Sequence, residues 1–251
     1  MMQDKKQPKT EPKTELGVYT RPAEKFYGRR KGHSLSDRQS SLMEELLPRL
    51  CVKLENCQDH TLDAAALFKH APKEIWLEIG FGKGEHMAWQ AEQNPDVGFL
   101  GCEPYLNGVV GLLARIEENN TSNIRIYDDD ARHLLEKLPN ASVSRVFLLH
   151  PDPWPKRRHA KRRFINNGNL DEIARVLKPG GEFRVGTDDP TYREWTAIIM
   201  SDRNDFEWLA EKSDDWSKRP ADWPETRYNA KANRQGRPAV YFRFKRLTKI
   251  L

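Results

Sequence analysis

The feature that most constrains the fold is an alternation of short β-rich runs with helical patterns, which begins near Ala71. Helical patterns such as LNGVVGLLARIEEN and LDEIARVL separate runs that are rich in β-branched and aromatic residues. This order is typical of βαβ units, so the sequence predicts an α/β protein with a mainly parallel sheet. The candidate strands are EIWLEIG (74–80), VGFLGCE (97–103), NIRIYDD (123–129), SRVFLLH (144–150) and GEFRVGT (181–187).

Two segments outside this core pattern also carry a structural signal. Residues 36–50, SDRQSSLMEELLPRL, combine a serine cap with leucines at helical spacing, which predicts a helix that ends at Pro48 or shortly after it. Residues 239–247, AVYFRFKRL, alternate apolar and charged side chains. That alternation predicts a half-exposed late strand that is antiparallel to its neighbour.

The net charge of +5 conceals a strong segregation of charge along the chain. Residues 1–31 contain nine basic and four acidic side chains, residues 155–163 contain six and none, and residues 218–251 contain ten and two. The remaining chain contains 17 basic and 31 acidic side chains. Three basic segments on an acidic body favour a polyanionic partner such as a nucleic acid. We expect residues 1–30 to be a disordered or extended basic tail and residues 31–251 to form one domain with an N-terminal helical extension.

Composition disfavours several classes of protein. No stretch reaches the roughly 18 to 20 apolar residues that a bilayer span needs, and the first residues lack the apolar region of a secretory signal. We therefore expect a cytoplasmic location and no membrane partner. The cysteines Cys51, Cys57 and Cys102 have no C-x-x-C spacing. They predict free thiols rather than a disulfide framework, and no metal site is expected.

A glycine-rich loop follows the first candidate strand, in the sequence EIGFGKGEH. Gly80, Gly82 and Gly84 can bring bare backbone close to a ligand at a helix N-terminus. Their G-x-G-x-G spacing departs from the G-x-G-x-x-G of dinucleotide-binding proteins, which argues against a dehydrogenase. The nearby Glu78 and Glu85 would repel a pyrophosphate, so the loop favours a ligand that carries positive charge.

Two acids end the next two candidate strands. Glu103 is placed where a carboxylate can accept hydrogen bonds from both ribose hydroxyls of a nucleoside. Asp130, which is followed by Ala131, is placed where a carboxylate can meet an adenine amino group. Together with the glycine loop, these residues predict an adenosine site without phosphates. S-adenosylmethionine, whose sulfonium is cationic, fits this site better than NAD does.

The segment LLHPDPWPKRRHAKRRF follows the fourth candidate strand and is the most informative motif. The carboxyl end of that strand overlooks the ligand crevice of a parallel sheet, so Asp152 and Trp154 would face the transferable methyl group. Trp154 offers a plane for an unpaired base, although a core position is an equally good interpretation of the tryptophan alone. The basic residues of 155–163 favour substrate phosphates, and His159 among them receives no catalytic role.

These motifs resemble those of the tRNA (guanine-N7-)-methyltransferase family. The resemblance covers about residues 25–246, and its most specific part is the PDPW motif with the basic block behind it. It implies a Rossmann-like class I S-adenosylmethionine-dependent methyltransferase fold. It also implies methyl transfer to N7 of a guanine in the tRNA variable loop, with tRNA as the partner. The matching motifs are LEIGFGKGEH, GCEPY, PDPWPKRRHAKRR, TDDPTY and TRYNAKANRQGRP.

The resemblance also assigns roles to individual residues, and Asp152 is the one it makes catalytic. One position departs from the family pattern, because Asn229 stands where the family usually has Glu and so lacks the charge. The cofactor set, glycine loop included, is Glu78, Gly80, Gly82, Gly84, Glu103, Asp130, Ala131 and Asp152. The substrate set is Lys156, Arg158, His159, Lys161, Arg162, Arg163, Asp188, Thr226, Arg227, Tyr228 and Asn229.

Two other functions remain open from the sequence. PDPW is similar to the Asn/Asp-Pro-Pro-aromatic motif of methyltransferases that act on exocyclic amino groups, but Trp154 stands where the second proline is expected. A non-catalytic RNA-binding protein with a methyltransferase fold is the other alternative, since a fold does not establish activity. The sequence is equally compatible with a monomer and a homodimer.

Overall fold

The alternating pattern folds into one seven-stranded sheet. It is seen in a computed structural model of the chain, which describes residues 26–55 and 57–248. The strands are β1 (Glu74–Ile79), β2 (Val97–Cys102), β3 (Ile124–Tyr127), β4 (Val143–Leu149), β5 (Leu177–Thr187), β6 (Phe206–Trp208) and β7 (Val240–Arg246). Their order across the sheet is β3-β2-β1-β4-β5-β7-β6. Neighbouring strands from β3 to β5 are parallel, and β7 is antiparallel to both β5 and β6. The five predicted strands and the antiparallel late strand are confirmed.

Helices cover both faces of this sheet. Apolar side chains of β1 alternate between the faces, so Leu77 packs in one core cluster and Trp76 in the other. Leu77 shares its cluster with residues of α5, α6 and α7, whereas Trp76 shares its cluster with residues of the π-helical turn Leu42–Leu46 and of α2, α3 and α4. The helices are α1 (Asp37–Ser41), α2 (Leu47–Leu50), α3 (Glu85–Gln93), α4 (Leu106–Asn119), α5 (Ala131–Lys137), α6 (Asn167–Val176), α7 (Pro190–Ser201), α8 (Asp214–Ser217) and α9 (Arg227–Arg234).

The predicted N-terminal helix is confirmed as a continuous helical segment made of α1, a π-helical turn at Leu42–Leu46, and α2. Ser36 caps it, because its side chain accepts a hydrogen bond from the backbone N–H of Gln39. Pro48 lies in the first turn of α2 and does not end the helix. The wider π turn explains this tolerance, since the N–H of Leu47 donates to the carbonyl of Leu42 five residues earlier.

The late strand is more buried than the sequence pattern predicts. β7 lies inside the sheet rather than at its edge, because the short strand β6 pairs with its outer side. Val240, Tyr241, Phe242 and Phe244 are buried, while Arg243 and the residues after Phe244 are partly exposed. The prediction of a half-exposed strand was therefore wrong for the first part of β7. Three residues of β6 are too few to show a pattern in the sequence.

Most of the predicted N-terminal tail lies outside the described residues. Its last five residues, 26–30, have no helix or strand and lie against the start of α4, where the backbone N–H of Leu106 donates to the carbonyl of Arg30 at 2.9 Å. The guanidinium of Arg30 also pairs with Asp129 at 2.7 Å. Cys51, Cys57 and Cys102 are free thiols. Within the described ranges, no helix is both long and apolar enough to cross a membrane.

Candidate active site

A cleft of about 1290 Å³ opens at the carboxyl ends of β1, β2 and β4. This is where ligands bind in open parallel sheets, and the volume exceeds the roughly 300–1,000 Å³ of most small-molecule sites. Its lining also includes residues 26–29, 161–164 and 226–229. The cleft therefore has room for a nucleoside-sized cofactor together with part of a second molecule.

The three glycines of the loop between β1 and α3 have different roles. All three have positive φ angles, but a Cβ built at Gly80 or Gly82 would meet no atom within 4 Å, and both residues line the cleft. Gly84, the N-cap of α3, does not line the cleft, and a Cβ there would lie 2.5 Å from Cδ1 of Leu112. The cleft is therefore open beside Gly80 and Gly82, where a ligand could approach the backbone. At Gly84 the structure corrects the predicted ligand approach, because the missing side chain serves the packing of α3 on α4.

Glu103 is buried just after β2, with both carboxylate oxygens facing backbone donors. Oε2 accepts a hydrogen bond from the N–H of Gly82 at 2.8 Å, and Oε1 accepts one from Tyr105 at 2.9 Å. Burial raises the pKa of Glu103 to about 6, opposed by these two hydrogen bonds and assisted by the charges of Asp152 and Glu78. These bonds join the glycine loop to the end of β2, and they bring Glu103 into the cleft as predicted.

Asp130 caps α5 at the end of β3 and also lines the cleft beside Ala131. Its Oδ1 accepts a hydrogen bond from the backbone N–H of Arg132 at 3.0 Å, and its Oδ2 pairs with the guanidinium of that arginine at 2.5 Å. Burial by itself would raise the pKa of Asp130, but the hydrogen bonds and charge of Arg132 outweigh it and keep the pKa below its ordinary value. Asp130 is therefore a charged side chain in a fixed position.

Glu78, near the end of β1, is 3% exposed and lines the floor of the cleft. Its Oε2 lies 2.7 Å from Nδ1 of His86, which is equally buried on α3. Glu85, the other acid of the loop, is paired with two arginines rather than left free. Its Oε1 lies 2.9 Å from Nε of Arg227 and 3.4 Å from Nη2 of Arg115. The negative charge available to a ligand at this loop thus comes from Glu78 and not from Glu85.

The loop after β4 holds Asp152 between two residues with positive φ, His150 (47°) and Trp154 (43°). Each such angle costs roughly 1–3 kcal/mol for a residue that is not glycine, so the surrounding contacts must hold the loop in place. The buried Arg163 supplies two of them, because Nε donates to the carbonyl of Pro153 and Nη2 to that of Trp154, each at 3.0 Å. Asp152 itself is exposed, lines the cleft, and accepts no hydrogen bond from the described residues.

The basic block forms a short 3₁₀ helix, Arg157–Arg162, beside this loop. Lys156, Arg158 and Lys161 are exposed, as phosphate contacts must be. Arg162 is partly buried, with its guanidinium 4.7 Å from the ring centre of Trp154 and 4.6 Å from that of Tyr27. Trp154 is thus half-buried, and its ring is in contact with the guanidinium of Arg162.

Two members of the predicted substrate set differ from the other basic residues of the block. Arg163 is only 5% exposed, and its guanidinium is used by the loop carbonyls, so it cannot contact phosphates from this position. Desolvation lowers the pKa of His159, and the neighbouring charges of Arg162, Arg158 and Lys156 add to the effect. His159 therefore adds less positive charge than the arginines beside it.

Asp188, just after β5, lies behind the loop and is not part of the cleft wall. Its Oδ1 lies 3.2 Å from Nδ1 of His150, and its Oδ2 lies 2.7 Å from Nη1 of Arg237. Hydrogen bonding to His150, together with the charges of His150 and Arg237, lowers the pKa of Asp188. Asp188 thus fixes His150, the residue two positions before Asp152.

The predicted substrate motif 226–229 forms the start of α9 and lines the cleft, in contact with Glu85 after the glycine loop. Thr226 caps the helix, and the N–H of Arg227 donates to Oε2 of Glu85 at 2.7 Å. Tyr228 is 53% exposed above the ring of His150, with 4.4 Å between ring centres. Asn229 is buried, and its Nδ2 donates to the hydroxyl of Tyr241 at 2.9 Å. Its side-chain oxygen contacts the hydroxyl of Thr226, so Asn229 is satisfied inside the protein rather than directed at a ligand.

Comparison with known proteins agrees with this architecture. A family model described as "Putative methyltransferase" matches residues 72–242. The tRNA (guanine-N(7)-)-methyltransferase of Zymomonas mobilis subsp. mobilis is 52% identical over 223 residues, which cover 89% of this chain and 94% of that protein. This chain belongs to the tRNA (guanine-N7-)-methyltransferase family. The enzyme of the same name from Rhizobium meliloti is 49% identical over 226 residues, covering 90% of this chain and 97% of its own.

Membership of this family, together with the observed order and direction of the strands, confirms the predicted Rossmann-like methyltransferase fold. A solved rRNA methylase from Streptococcus thermophilus aligns with 86% of this chain and with all of its own, at 11% identity and a TM-score of 0.47.

Three parts of the site were not predicted from the sequence. His150 lies next to the PDPW motif, and its imidazole joins Asp188 to Tyr228. Trp223, which is buried at the cleft floor, packs against His86 and Tyr241. The Glu85–Arg227 pair links the glycine loop to α9. A histidine before PDPW and a glutamate after the last glycine were visible in the sequence, but their partners lie far along the chain.

Proposed function

We propose that this protein transfers the methyl group of S-adenosylmethionine to N7 of a guanine in the variable loop of tRNA. The observation that carries the proposal is the position of Asp152. Its carboxylate, which accepts no hydrogen bond from the described residues, lines the cleft that also contains Glu78, Glu103 and Asp130, and the exposed basic 3₁₀ helix begins five residues further on. The acids proposed to bind adenosine thus line the same cleft as Asp152, and the cations proposed to bind phosphate follow it in the chain. The names of the curated relatives agree with this substrate and this atom.

The residues present fit the proposed cofactor. A buried glutamate, Glu78, lines the floor of the cleft and suits a cation, and the open space beside Gly80 and Gly82 admits a ligand close to the backbone. Glu103 would hold the ribose hydroxyls, and Asp130 with Ala131 would border the adenine. When bound there, S-adenosylmethionine supplies an electrophilic methyl group on a sulfonium.

Guanine N7 carries a lone pair and no proton, so the reaction needs no general base to activate it. Methylation leaves a positive charge on the ring, which a nearby carboxylate stabilises. Asp152 would accept hydrogen bonds from guanine N1–H and the exocyclic amino group, which would both orient the base and favour the charged product. The charges of Lys156, Arg158 and Lys161 would hold the tRNA backbone beside the cleft.

Methyl transfer to an unmodified tRNA transcript tests the proposal directly. Labelled S-adenosylmethionine is supplied to the wild-type protein with this transcript, and with a second one whose variable-loop guanine is replaced by adenine. The RNA is then cleaved chemically at 7-methylguanine. We expect label and cleavage at that guanine in the first transcript and neither in the second.

Each other outcome would overturn the proposal in a different way. Label on an exocyclic amino group, identified by mass analysis of the nucleosides, would favour the alternative class of methyltransferase. Cofactor and tRNA binding without label would favour a non-catalytic RNA-binding protein. Cleavage at a different guanine would keep the chemistry and discard the variable loop as its target.

A further inference from the structure

His86 is a buried imidazole in the floor of the cleft that none of the proposed steps uses. It is 3% exposed, packs against the rings of Phe147 and Trp223, and lines the cleft together with Glu78. Buried polar side chains keep partners for both of their polar atoms. The partners of His86 reveal which ring nitrogen carries the proton.

Gln90, one turn further along α3, determines that proton's position. Its Nε2 lies 2.6 Å from the backbone carbonyl of Asp222, which can only accept, and its Oε1 faces the amide donor of Asn94 at 3.3 Å. The amide orientation of Gln90 is therefore fixed, with the NH₂ group directed at Asp222. The same Nε2 lies 3.2 Å from Nε2 of His86, so that ring nitrogen accepts a hydrogen bond.

It follows that the proton of His86 sits on Nδ1, where it is donated to Oε2 of Glu78 across 2.7 Å. The second carboxylate oxygen of Glu78, Oε1, receives no hydrogen bond from the described residues, although the side chain is 3% exposed. A carboxylate whose side chain is almost fully buried, and which lines the cleft with one oxygen that no described donor satisfies, favours a cationic ligand there. A neutral imidazole orients this carboxylate without cancelling its charge.

We propose that His86 is a positioning residue for cofactor binding: through Gln90 and the Asp222 carbonyl it holds Glu78 with one oxygen presented to the α-ammonium group of the cofactor's methionine part. This inference rests on the proposed use of S-adenosylmethionine. It gives a buried residue outside the assigned contacts a role in the affinity for the amino-acid part of the cofactor, but not in the affinity for tRNA.

Two substitutions distinguish the roles of the two ring nitrogens of His86. The amide nitrogen of Asn is as many bonds from Cβ as Nδ1 of His, so His86→Asn keeps the donor toward Glu78. Gln instead reaches the position of Nε2, so His86→Gln loses the donor and keeps a polar group facing Gln90. We expect the Kd for S-adenosylhomocysteine, measured by calorimetry, to rise at least tenfold in His86→Gln and to stay within about threefold of wild type in His86→Asn.

A comparison of two ligands and a double variant test whether His86 acts on the amino-acid part of the cofactor through Glu78. S-adenosylhomocysteine keeps the α-ammonium but has no sulfonium, and 5′-methylthioadenosine lacks the amino-acid part altogether. Binding of 5′-methylthioadenosine and of tRNA should therefore be equal in wild type and His86→Gln. If His86 acts through Glu78, the double variant Glu78→Gln/His86→Gln should bind S-adenosylhomocysteine no more weakly than Glu78→Gln does. In turnover, His86→Gln should raise KM for S-adenosylmethionine with kcat within about twofold of wild type.

Failure of this inference is distinguishable from failure of the proposed function. A wild-type protein that binds neither S-adenosylmethionine nor S-adenosylhomocysteine would overturn both. Equal affinities in wild type and His86→Gln would overturn the role of His86 alone, as would equal losses in the Asn and Gln variants or a parallel loss for 5′-methylthioadenosine. Melting temperatures of the variants identify a misfolded protein, and His86→Asn keeps the test valid if His86→Gln does not fold.

Discussion

The acids in the cleft and the basic block that follows Asp152 use charge in opposite ways. On the glycine-loop side, Glu78, Glu103 and Asp130 are buried, and each is held by at least one hydrogen bond to a neighbouring side chain or backbone group. In the basic block after Asp152, Lys156, Arg158 and Lys161 are exposed to solvent. A buried carboxylate without a donor is costly, so the fold itself must fix the acids before a ligand arrives. Exposed cations need no such support, because they stay hydrated until they contact the phosphates of a nucleic acid.

Asp152 belongs to neither pattern, and replacing it gives the largest effect that we expect. It is an acid in the cleft, yet it is exposed and accepts no hydrogen bond from the described residues. Because its main role would be toward the guanine, with the cofactor held chiefly by the other acids of the cleft, Asp152→Ala should lower kcat about 100-fold while the Kd for S-adenosylhomocysteine changes less than threefold. Single-turnover methylation and calorimetry measure the two effects. Asp152→Asn keeps one acceptor oxygen and should fall between wild type and Asp152→Ala, and equal losses of turnover and cofactor affinity would contradict this assignment.

Arg163 is the exception on the basic side, because it is a buried cation within an exposed block. Its guanidinium satisfies the carbonyls of Pro153 and Trp154 and stacks 4.6 Å from the ring centre of Trp195. Arg163→Ala should lower the free energy of unfolding by about 2 kcal/mol, measured by urea denaturation, and should reduce turnover through the displaced loop. Lys161→Ala, two residues away and exposed, is the matched control and should change the unfolding free energy by less than about 0.5 kcal/mol. Equal stabilities of the two variants would show that Arg163 does not hold the loop.

How far the sequence predicted this molecule depends on whether a feature is local. The five parallel strands, α4 and the capped N-terminal helix follow from residues that are close in the chain, and the structure has them within a few residues of their predicted bounds. The burial of β7 was mispredicted, because it depends on pairing with the three residues of β6. Arg163 and Lys161 look alike in the sequence, and only the carbonyls around Arg163 distinguish them. The role of Gly84 likewise depends on Leu112, which belongs to another helix.

The buried acids should also make cofactor binding depend on pH. Burial raises the pKa of Glu103 to about 6, and the ribose hydroxyls would donate to its charged form. Protonation as the pH falls through 6 should therefore weaken binding, so the Kd for S-adenosylhomocysteine should be about tenfold higher at pH 5 than above pH 7. Calorimetry across this range measures the change. Glu103→Gln should bind more weakly above pH 7 and lose most of this dependence, and an equally steep dependence in that variant would assign the titration to another group.

The smallest effect tests whether the exposed cations act as independent phosphate contacts. Since Lys161 stands in solvent at the mouth of the cleft, its contribution to tRNA binding should be electrostatic and independent of the base sequence. Lys161→Ala should weaken tRNA binding only a few-fold at moderate salt and reduce the slope of log Kd against log salt concentration by about 1. Filter binding at several salt concentrations measures both quantities. Because the buried acids of the cleft do not contact phosphate, Glu78→Gln should leave this slope unchanged. A variant at Lys161 that altered the site of methylation while keeping the wild-type salt slope would mean that the lysine orients the substrate instead of attracting it.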